Sequence, residues 1–308
     1  MTTTVVALGG NALLRRGDPL DPVIQDGNIA RAACAILDAV ESGDRLVITH
    51  GNGPQVGLLA LADAGRGELP FPLDVLDAES EGMIGYLLAR HLHRRQGRPV
   101  ATVLTQVVVD PDDAAFAQPT KPIGPTYTEA EAAALAHAHG WRVAPEDAAG
   151  GTSAWRRVVA SPSPRRIVEL AAVRALLGAG TIVVCAGGGG VPVTEQGDRL
   201  VGVEAVVDKD ATSALLAEDL DADRLVLLTD VEAVVDGWGT ADARPIGRLT
   251  ASDLGRRDFA SGSMGPKVRA ACAFVDHTGR SAAIGSLDRL ADVLAGRSGT
   301  WIDPTPGS

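Results

Sequence analysis

The sequence predicts an α/β protein with an open, mainly parallel sheet between layers of helix. Three observations carry this. Apolar residues make up 45% of the chain but aromatic residues only 3%, so the core must be built from Val, Leu, Ile and Ala. Short strand-like runs alternate with stretches of helical spacing, the rhythm of βαβ crossovers. Glycine is abundant, 36 of 308 residues, and clusters directly after strand patterns, as buried parallel sheets require.

Residues 3–8 form the first β-rich run and end in Gly9-Gly10-Asn11. Residues 26–42 have helical spacing through Ile29, Ala33, Ile36, Leu37 and Val40. Residues 45–49 predict a second buried strand, followed by His50-Gly-Asn-Gly-Pro-Gln-Val-Gly57. Helices over about 54–64 and 74–95 come next, and residues 99–109 read as one strand. The texture then changes. Prolines stand at 111, 119, 122, 125, 145, 162 and 164, with short β-like pieces and a brief helix over 129–139. This predicts a small, protruding, hairpin-rich subdomain, residues 111–164, inserted in a single domain of residues 1–308. Trp141 and Trp155 suggest that it has a small core of its own.

The βα rhythm resumes at Arg165, with a helix face of Ile167, Leu170, Ala171 and Leu177. A strand over 181–186 leads into Gly187-Gly-Gly-Gly190, and a hairpin over 191–201 turns near Gly197-Asp198. A helix over 211–220 and a strand over 224–228 follow, the strand running into Thr229-Asp230. Helices over 250–257 and 268–276, a strand over 281–284, a helix over 287–294 and a strand over 300–302 complete the chain.

The formal net charge is −11, with no basic run, which argues against nucleic acid or an anionic membrane as the main partner. A small phosphorylated ligand needs only a few local charges. Cys34, Cys185 and Cys272 are scattered and odd in number, so they read as reduced thiols rather than a disulfide frame or a metal site. No run is apolar enough to span a membrane, and the chain enters a strand without a leader pattern, so a cytoplasmic protein is expected.

Lysine usage marks the chemistry. Lys121, Lys209 and Lys267 are the only lysines; the other twenty-five of the 28 basic positions are Arg. Such a bias keeps Lys where a compact ammonium serves and a planar guanidinium does not. Lys209 lies between Asp208 and Asp210 where an apolar run gives way to a helix pattern, Lys267 ends Gly262-Ser-Met-Gly-Pro-Lys267 at another helix start, and Lys121 lies in Thr120-Lys-Pro-Ile-Gly-Pro125. Ammonium groups at loop-to-helix junctions suit phosphate. Three glycine-rich turns after successive strands point the same way, since such turns share the carboxyl edge of a parallel sheet, where ligands bind. Two familiar phosphate motifs do not fit. Gly51-Asn-Gly-Pro-Gln-Val-Gly57 has one residue too many for a dinucleotide fingerprint, and neither Gly187–Gly190 nor residues 262–267 have P-loop spacing.

These motifs resemble the carbamate kinases of the amino-acid kinase superfamily. The resemblance is carried by Ala7-Leu-Gly-Gly-Asn-Ala12, Thr49-His-Gly-Asn-Gly-Pro-Gln55, Glu81-Gly-Met-Ile-Gly-Tyr86, Thr120-Lys-Pro-Ile-Gly-Pro125, Ser161-Pro-Ser-Pro-Arg-Arg-Ile167, Ala186–Gly190, Glu204-Ala-Val-Val-Asp-Lys-Asp210, Leu228-Thr-Asp-Val231 and Gly262–Lys267, over nearly the whole chain. It implies the three-layer αβα amino-acid kinase fold. The broader superfamily usually places a Lys beside the first Gly-Gly; this chain has Ala7-Leu8 there, with Lys209 supplying the charge instead. A second departure follows Asp230, where Val231-Glu-Ala-Val-Val-Asp-Gly-Trp-Gly-Thr240-Ala241 replaces a longer, aromatic-containing segment.

The implied reaction is phosphoryl transfer between ATP and carbamate, giving ADP and carbamoyl phosphate, with Mg²⁺, in a homodimer. The implied direction is ATP synthesis in arginine or purine catabolism. Phosphoryl transfer needs positioning and charge neutralisation more than covalent chemistry. Gly9, Gly10, Asn11, Gly51, Asn52 and Gly53 are then the candidate cradle for the acceptor. Lys209 and Lys267 hold the transferring phosphoryl oxygens, Asp210 orients both, Asp208 is a second orienting group, and Lys121 reaches in from the subdomain as part of a lid. Gly187, Gly188, Thr229, Asp230 and Met264 are assigned to the nucleotide. Several residues have a competing structural role: Asn11 and Asn52 as partners of turn backbone, Asp210 as a helix N-cap, Met264 as packing. His50 reads as a turn-stabilising residue, since carbamate attacks through an oxygen that is already anionic. Two other functions compete: a sister kinase of the superfamily, which predicts a Lys beside the first Gly-Gly, and a non-catalytic nucleotide-binding regulator, which would tolerate loss of a catalytic lysine.

Overall fold

The computed structural model of the chain describes residues 1–13, 21–41, 43–65, 70–93, 97–146, 154–240, 242–259 and 264–305. The side chains of Asn11, Ala12 and Glu146 lie outside that description.

An eight-stranded sheet forms the middle layer. Its order is Arg248–Thr250, Thr300–Asp303, Ala282–Ser286, Arg224–Thr229, Thr3–Leu8, Arg45–His50, Ile182–Val184 and Val100–Thr102. Every pairing is parallel except that between Ala282–Ser286 and Thr300–Asp303. The strands are continuous apolar runs because helices cover both faces. Val5, Ala7, Val47, Val183, Leu225 and Leu227 pack on one side with Val173, Leu177, Leu216, Val268 and Phe274 from the helices Leu170–Gly178, Lys209–Asp219 and Met264–Thr278. The alternate residues Val6, Leu8, Leu46, Ile48, Val184, Val226 and Leu228 pack on the other side. Their partners include Ile29, Ile36, Ile84, Leu88 and Val293 from the helices Pro22–Ala39, Leu73–Leu92 and Leu290–Leu294. The expected three-layer αβα body is therefore present.

Some boundaries differ from expectation for identifiable reasons. The first long helix runs Pro22–Ala39, not 26–42. Asp21 caps it by accepting from Val23 N and Ile24 N, with Pro22 in the first turn, ahead of the apolar stripe that marks it in the sequence. The single strand expected over 99–109 is two. Val100–Thr102 ends the main sheet, while Gln106–Val109 joins a separate four-stranded sheet with Val191–Gln196, Arg199–Gly202 and Pro164–Ile167. The chain breaks at Val103–Thr105, where Thr105 Oγ1 donates back to Val103 O at 2.9 Å. The hairpin expected over 191–201 is present as Val191–Gln196 and Arg199–Gly202.

Lys121–Tyr127, Ala154–Val159 and Val143–Glu146 form a three-stranded antiparallel sheet beside the helix Glu129–His139, which begins with a Thr128–Glu131 capping box. The tryptophans do not make its core. Both are only partly buried, and Trp141 carries the Arg157 guanidinium 4.4 Å above its ring. Ile123 and Val159 instead bury against Val56, Ala60, Leu73, Leu76 and Val206 of the main body. The contact is closest at two glycines. A Cβ on Gly57, in the helix Gly53–Ala64, would lie 2.0 Å from Gly124 Cα. This backbone contact holds the middle of the strand that carries Lys121 against the helix Gly53–Ala64.

Replacing Gly57 by Ala tests that contact. In a free helix the change favours folding by about 1 kcal/mol. Here the clash meets backbone, which cannot rotate away, and overpacking of this kind costs about 1–3 kcal/mol or more. Denaturant titration of Gly57→Ala should therefore show a net loss of stability; a gain would show that the two segments are not in contact.

Candidate active site

Four neighbouring parallel strands, Arg224–Thr229, Thr3–Leu8, Arg45–His50 and Ile182–Val184, end at one edge of the sheet. The turns that follow them are therefore neighbours. Gly9 lies against the adjoining strand, where a Cβ would be 2.9 Å from Leu228 O. Gly10 opens a four-residue helix, Gly10–Leu13. A Cβ on Gly51 would be 3.2 Å from Gly10 N and 3.6 Å from Lys209 Cδ. Gly51 thus brings the first two glycine turns and the Lys209 stem together. Gly53 begins the helix Gly53–Ala64, with Asn52 as its N-cap. The Asn11 side chain lies outside the described residues.

The third turn packs from behind. Gly188, Gly189 and Gly190 have φ of 68°, 108° and 83°, and their Cβ positions are already occupied by other groups. A Cβ on Gly187 would meet His50 Cε1 at 2.4 Å and Glu81 Cγ at 2.7 Å, and one on Gly188 would meet Asn52 Nδ2 at 2.2 Å. Gly187 and Gly188 therefore pack against the turn at His50–Asn52, three strand spacings from Thr229, or about 14 Å at the usual separation. Thr229 ends its strand, with its hydroxyl 3.1 Å from Asp230 Oδ1, and Asp230 is exposed. Met264 starts the helix Met264–Thr278 and packs partly on the core of that face.

The charged centre arrives on the helix Lys209–Asp219. Asp208 is its N-cap, accepting from Asp210 N at 3.0 Å and Ala211 N at 3.2 Å. The capping role weighed for Asp210 thus belongs to Asp208, and Asp210 is free to turn inward. Its Oδ1 accepts from Lys209 Nζ and its Oδ2 from Lys267 Nζ, the latter at 3.0 Å. Lys121 Nζ lies 3.0 Å from Asp208 Oδ2. All three lysines of the chain therefore meet on the three consecutive residues 208–210. The helix is anchored to the sheet edge by two hydroxyls: Thr212 Oγ1 donates to Gly189 O at 2.8 Å, and Ser213 Oγ lies 2.6 Å from Thr49 Oγ1.

Three ammonium groups against two carboxylates leave one positive charge in excess (3 − 2), beside turns rich in backbone N–H groups. Burial alone would raise the Asp210 and Asp208 carboxyls. The lysines more than offset this, Lys209 and Lys267 at Asp210 and Lys121 at Asp208, so both stay below the usual carboxylate range. Burial lowers Lys209, with Asp210 opposing the effect. His50 is fully buried and pushed down to about 4, so at neutral pH it is uncharged. Its Nδ1 lies 3.2 Å from Gly51 O, which fits the turn-stabilising role.

Residues of the helix Leu73–Leu92 support the turns: Glu81, which opens the motif Glu81–Tyr86 but carries no assigned role there, and Asp77 and Ser80, which no motif includes. Glu81 accepts from Gly187 N at 2.9 Å and Thr105 N at 3.3 Å, and burial raises its carboxyl well above the usual range. Asp77 and Ser80 hold the Asn52 side chain. Their signal in the sequence is positional: residues 77, 80 and 81 are polar, yet fall on the stripe of Leu73, Leu76, Ile84 and Leu88, all of it buried.

Comparison with known proteins agrees with this geometry. Residues 2–286 match the model of the amino acid kinase family. The carbamate kinase of Escherichia coli (strain K12) is 51% identical over 304 residues, covering 98% of this chain and 99% of that protein. The carbamate kinase of Rhizobium meliloti (strain 1021) is also 51% identical, covering 97% and 92% respectively. Among solved structures, carbamate kinase from Giardia lamblia bound to AMP-PNP superposes with a TM-score of 0.87 at 38% identity, over 99% of each chain. With its lysine cluster, glycine turns and fold all in agreement, the chain belongs to the amino acid kinase family and, within it, to the carbamate kinases.

Proposed function

We propose that this chain transfers a phosphoryl group reversibly between ATP and carbamate, giving ADP and carbamoyl phosphate. The observation that carries the reading is the meeting of Lys121, Lys209 and Lys267 on Asp208–Asp210, beside the glycine turns after the strands Thr3–Leu8 and Arg45–His50. Carbamate, a small anion, is held by the backbone of Gly9, Gly10, Gly51, Asn52 and Gly53, with Asn11 completing the cradle. Its anionic oxygen attacks the γ-phosphorus in line with the departing ADP oxygen. Lys209 and Lys267, set at a fixed spacing by the two oxygens of Asp210, take up the charge on the transferring phosphoryl oxygens. Lys121 closes from its strand, leaving Asp208 for the phosphates, with the segment 111–164 acting as a lid. Thr229, Asp230 and Met264 take the nucleotide, and Gly187 and Gly188 back the acceptor turn.

The donor set fits Mg²⁺ carried on the nucleotide rather than caged by protein. Among the described residues no three His, Cys, Asp or Glu side chains cluster as a metal site, and Asp210 already carries a lysine on each oxygen. When bound, the ion neutralises phosphate oxygens.

Running towards ATP is the favoured direction, because carbamoyl phosphate is a mixed anhydride and a strong phosphoryl donor; such a reaction serves arginine or purine breakdown in the cytoplasm. No helix among the described residues is long and apolar enough to cross a membrane. A homodimer is supported by the exposed apolar side chains Met83, Tyr86 and Leu104, the last close to Gly82 on the same helix.

Two measurements test the reading. Incubation with ADP, Mg²⁺ and carbamoyl phosphate should form ATP, and phosphorylation of a different acceptor with no ATP formed would sink it. Lys209→Ala and Lys267→Ala should each lower kcat by about 100-fold or more while circular dichroism stays native. Near-normal turnover in both would refute the assignment.

A further inference from the structure

Asn52 is the N-cap of a twelve-residue helix, Gly53–Ala64, yet its side chain makes no cap hydrogen bond. Asn in this position ordinarily accepts from the N–H of the second or third helical residue. Here the second is Pro54, which has none, and the third is Gln55. The Asn52 amide points elsewhere. Its Nδ2 donates to Asp77 Oδ1 and to Ser80 Oγ, the latter at 2.8 Å. Ser80 Oγ in turn donates to Asp77 O at 3.0 Å, which turns its lone pairs towards Asn52. All three side chains are buried, Asn52 at 2% exposure and the other two at 0%.

Taking both amide hydrogens fixes the amide plane. The absence of a Cβ on Gly188 leaves room for it, so the amide is held from two sides. Asp77 fits an accepting role. Its Oδ2 is buried with no partner, and burial pushes the carboxyl up to about 7, so below that pH Oδ2 carries the proton and Oδ1 is left to accept. A buried carboxyl with one orphan oxygen is costly, and helix packing alone gives no reason for it.

We propose that Asp77 and Ser80 are positioning residues for the phosphoryl acceptor: they hold the Asn52 amide away from the N-terminus of the helix Gly53–Ala64, so its backbone N–H groups serve the acceptor's carboxylate. An Asn that capped its own helix would take the Gln55 N–H, one of the few donors this N-terminus can offer an anion. The proposal rests on the reading of Gly51–Gly53 as part of the acceptor cradle.

Initial-rate kinetics in the ATP-forming direction test it. Asp77→Ala should raise the KM for carbamoyl phosphate by about tenfold or more, and leave the KM for ADP within about twofold. Asp77→Asn retains an oxygen that accepts from Asn52 and should bring the carbamoyl phosphate KM back to within about threefold of wild type. An unchanged carbamoyl phosphate KM in Asp77→Ala overturns the proposal, as does an Asp77→Asn enzyme impaired as severely as Asp77→Ala. If Asp77→Ala does not fold, Ser80→Ala carries the test: it removes one of the two acceptors and should raise the same KM selectively, by about threefold. No rise overturns the proposal. An active wild type with unresponsive variants refutes only this inference; a wild type that makes no ATP from carbamoyl phosphate refutes the acceptor reading with it.

Discussion

One carboxylate holds the site together. Asp210 sits almost out of solvent with an ammonium on each oxygen, one from the preceding residue and one from a different helix. Buried charges are costly to desolvate, and removing one partner of such a pair costs about 3–5 kcal/mol. Lys209 and Lys267 are therefore fixed relative to one another before any phosphate arrives, and the carboxylate separates two like charges that would otherwise repel. Phosphoryl oxygens enter a frame already built, so little reorganisation accompanies the transfer.

That frame depends on the sheet. Because four adjacent strands run parallel, their turns meet at one edge, and the helix beginning at Lys209 is pinned to that edge through Thr212 and Ser213. The glycine turns pack on one another as well as offering N–H groups. Gly51 touches Gly10 and the Lys209 stem, while Gly188 makes room for Asn52. Lys121 reaches the same place on a different sheet, whose register against the body is set by the contact of Gly57 with Gly124.

The layered fold was legible because continuous apolar runs and helical stripes report burial directly. The lysines were legible through their scarcity. Other features were hidden because they are not periodic. The break at Val103–Thr105 depends on Thr105, whose hydroxyl accepts from Ala186 N and donates to Val103 O, both side chain–backbone contacts with no sequence pattern. The cap at Asp21-Pro22 is masked in the sequence because the apolar stripe starts a turn later. Trp141 and Trp155 suggested a local core, but their sheet buries Ile123 and Val159 in the main body instead. Asp77 and Ser80 belong to no motif, and the support that Glu81 gives is not visible in its motif; their only signal is that polar residues stand on a buried stripe. The direction of the Asn52 side chain is a tertiary fact: only the position of the helix Leu73–Leu92 decides whether that amide caps its own helix or turns away.

Concentrating every lysine at one place has a practical consequence. On most proteins an amine-directed reagent decorates the whole surface. Here the only side-chain amines are Lys121, Lys209 and Lys267, all part-buried or buried and all salt-bridged. Acylation or reductive alkylation of this chain therefore reads out one location, and the mass added beyond the N-terminus counts modified lysines of the site. Protection by a bound anion would appear as missing mass, so an intact-mass spectrum can serve as an occupancy gauge without any engineered label.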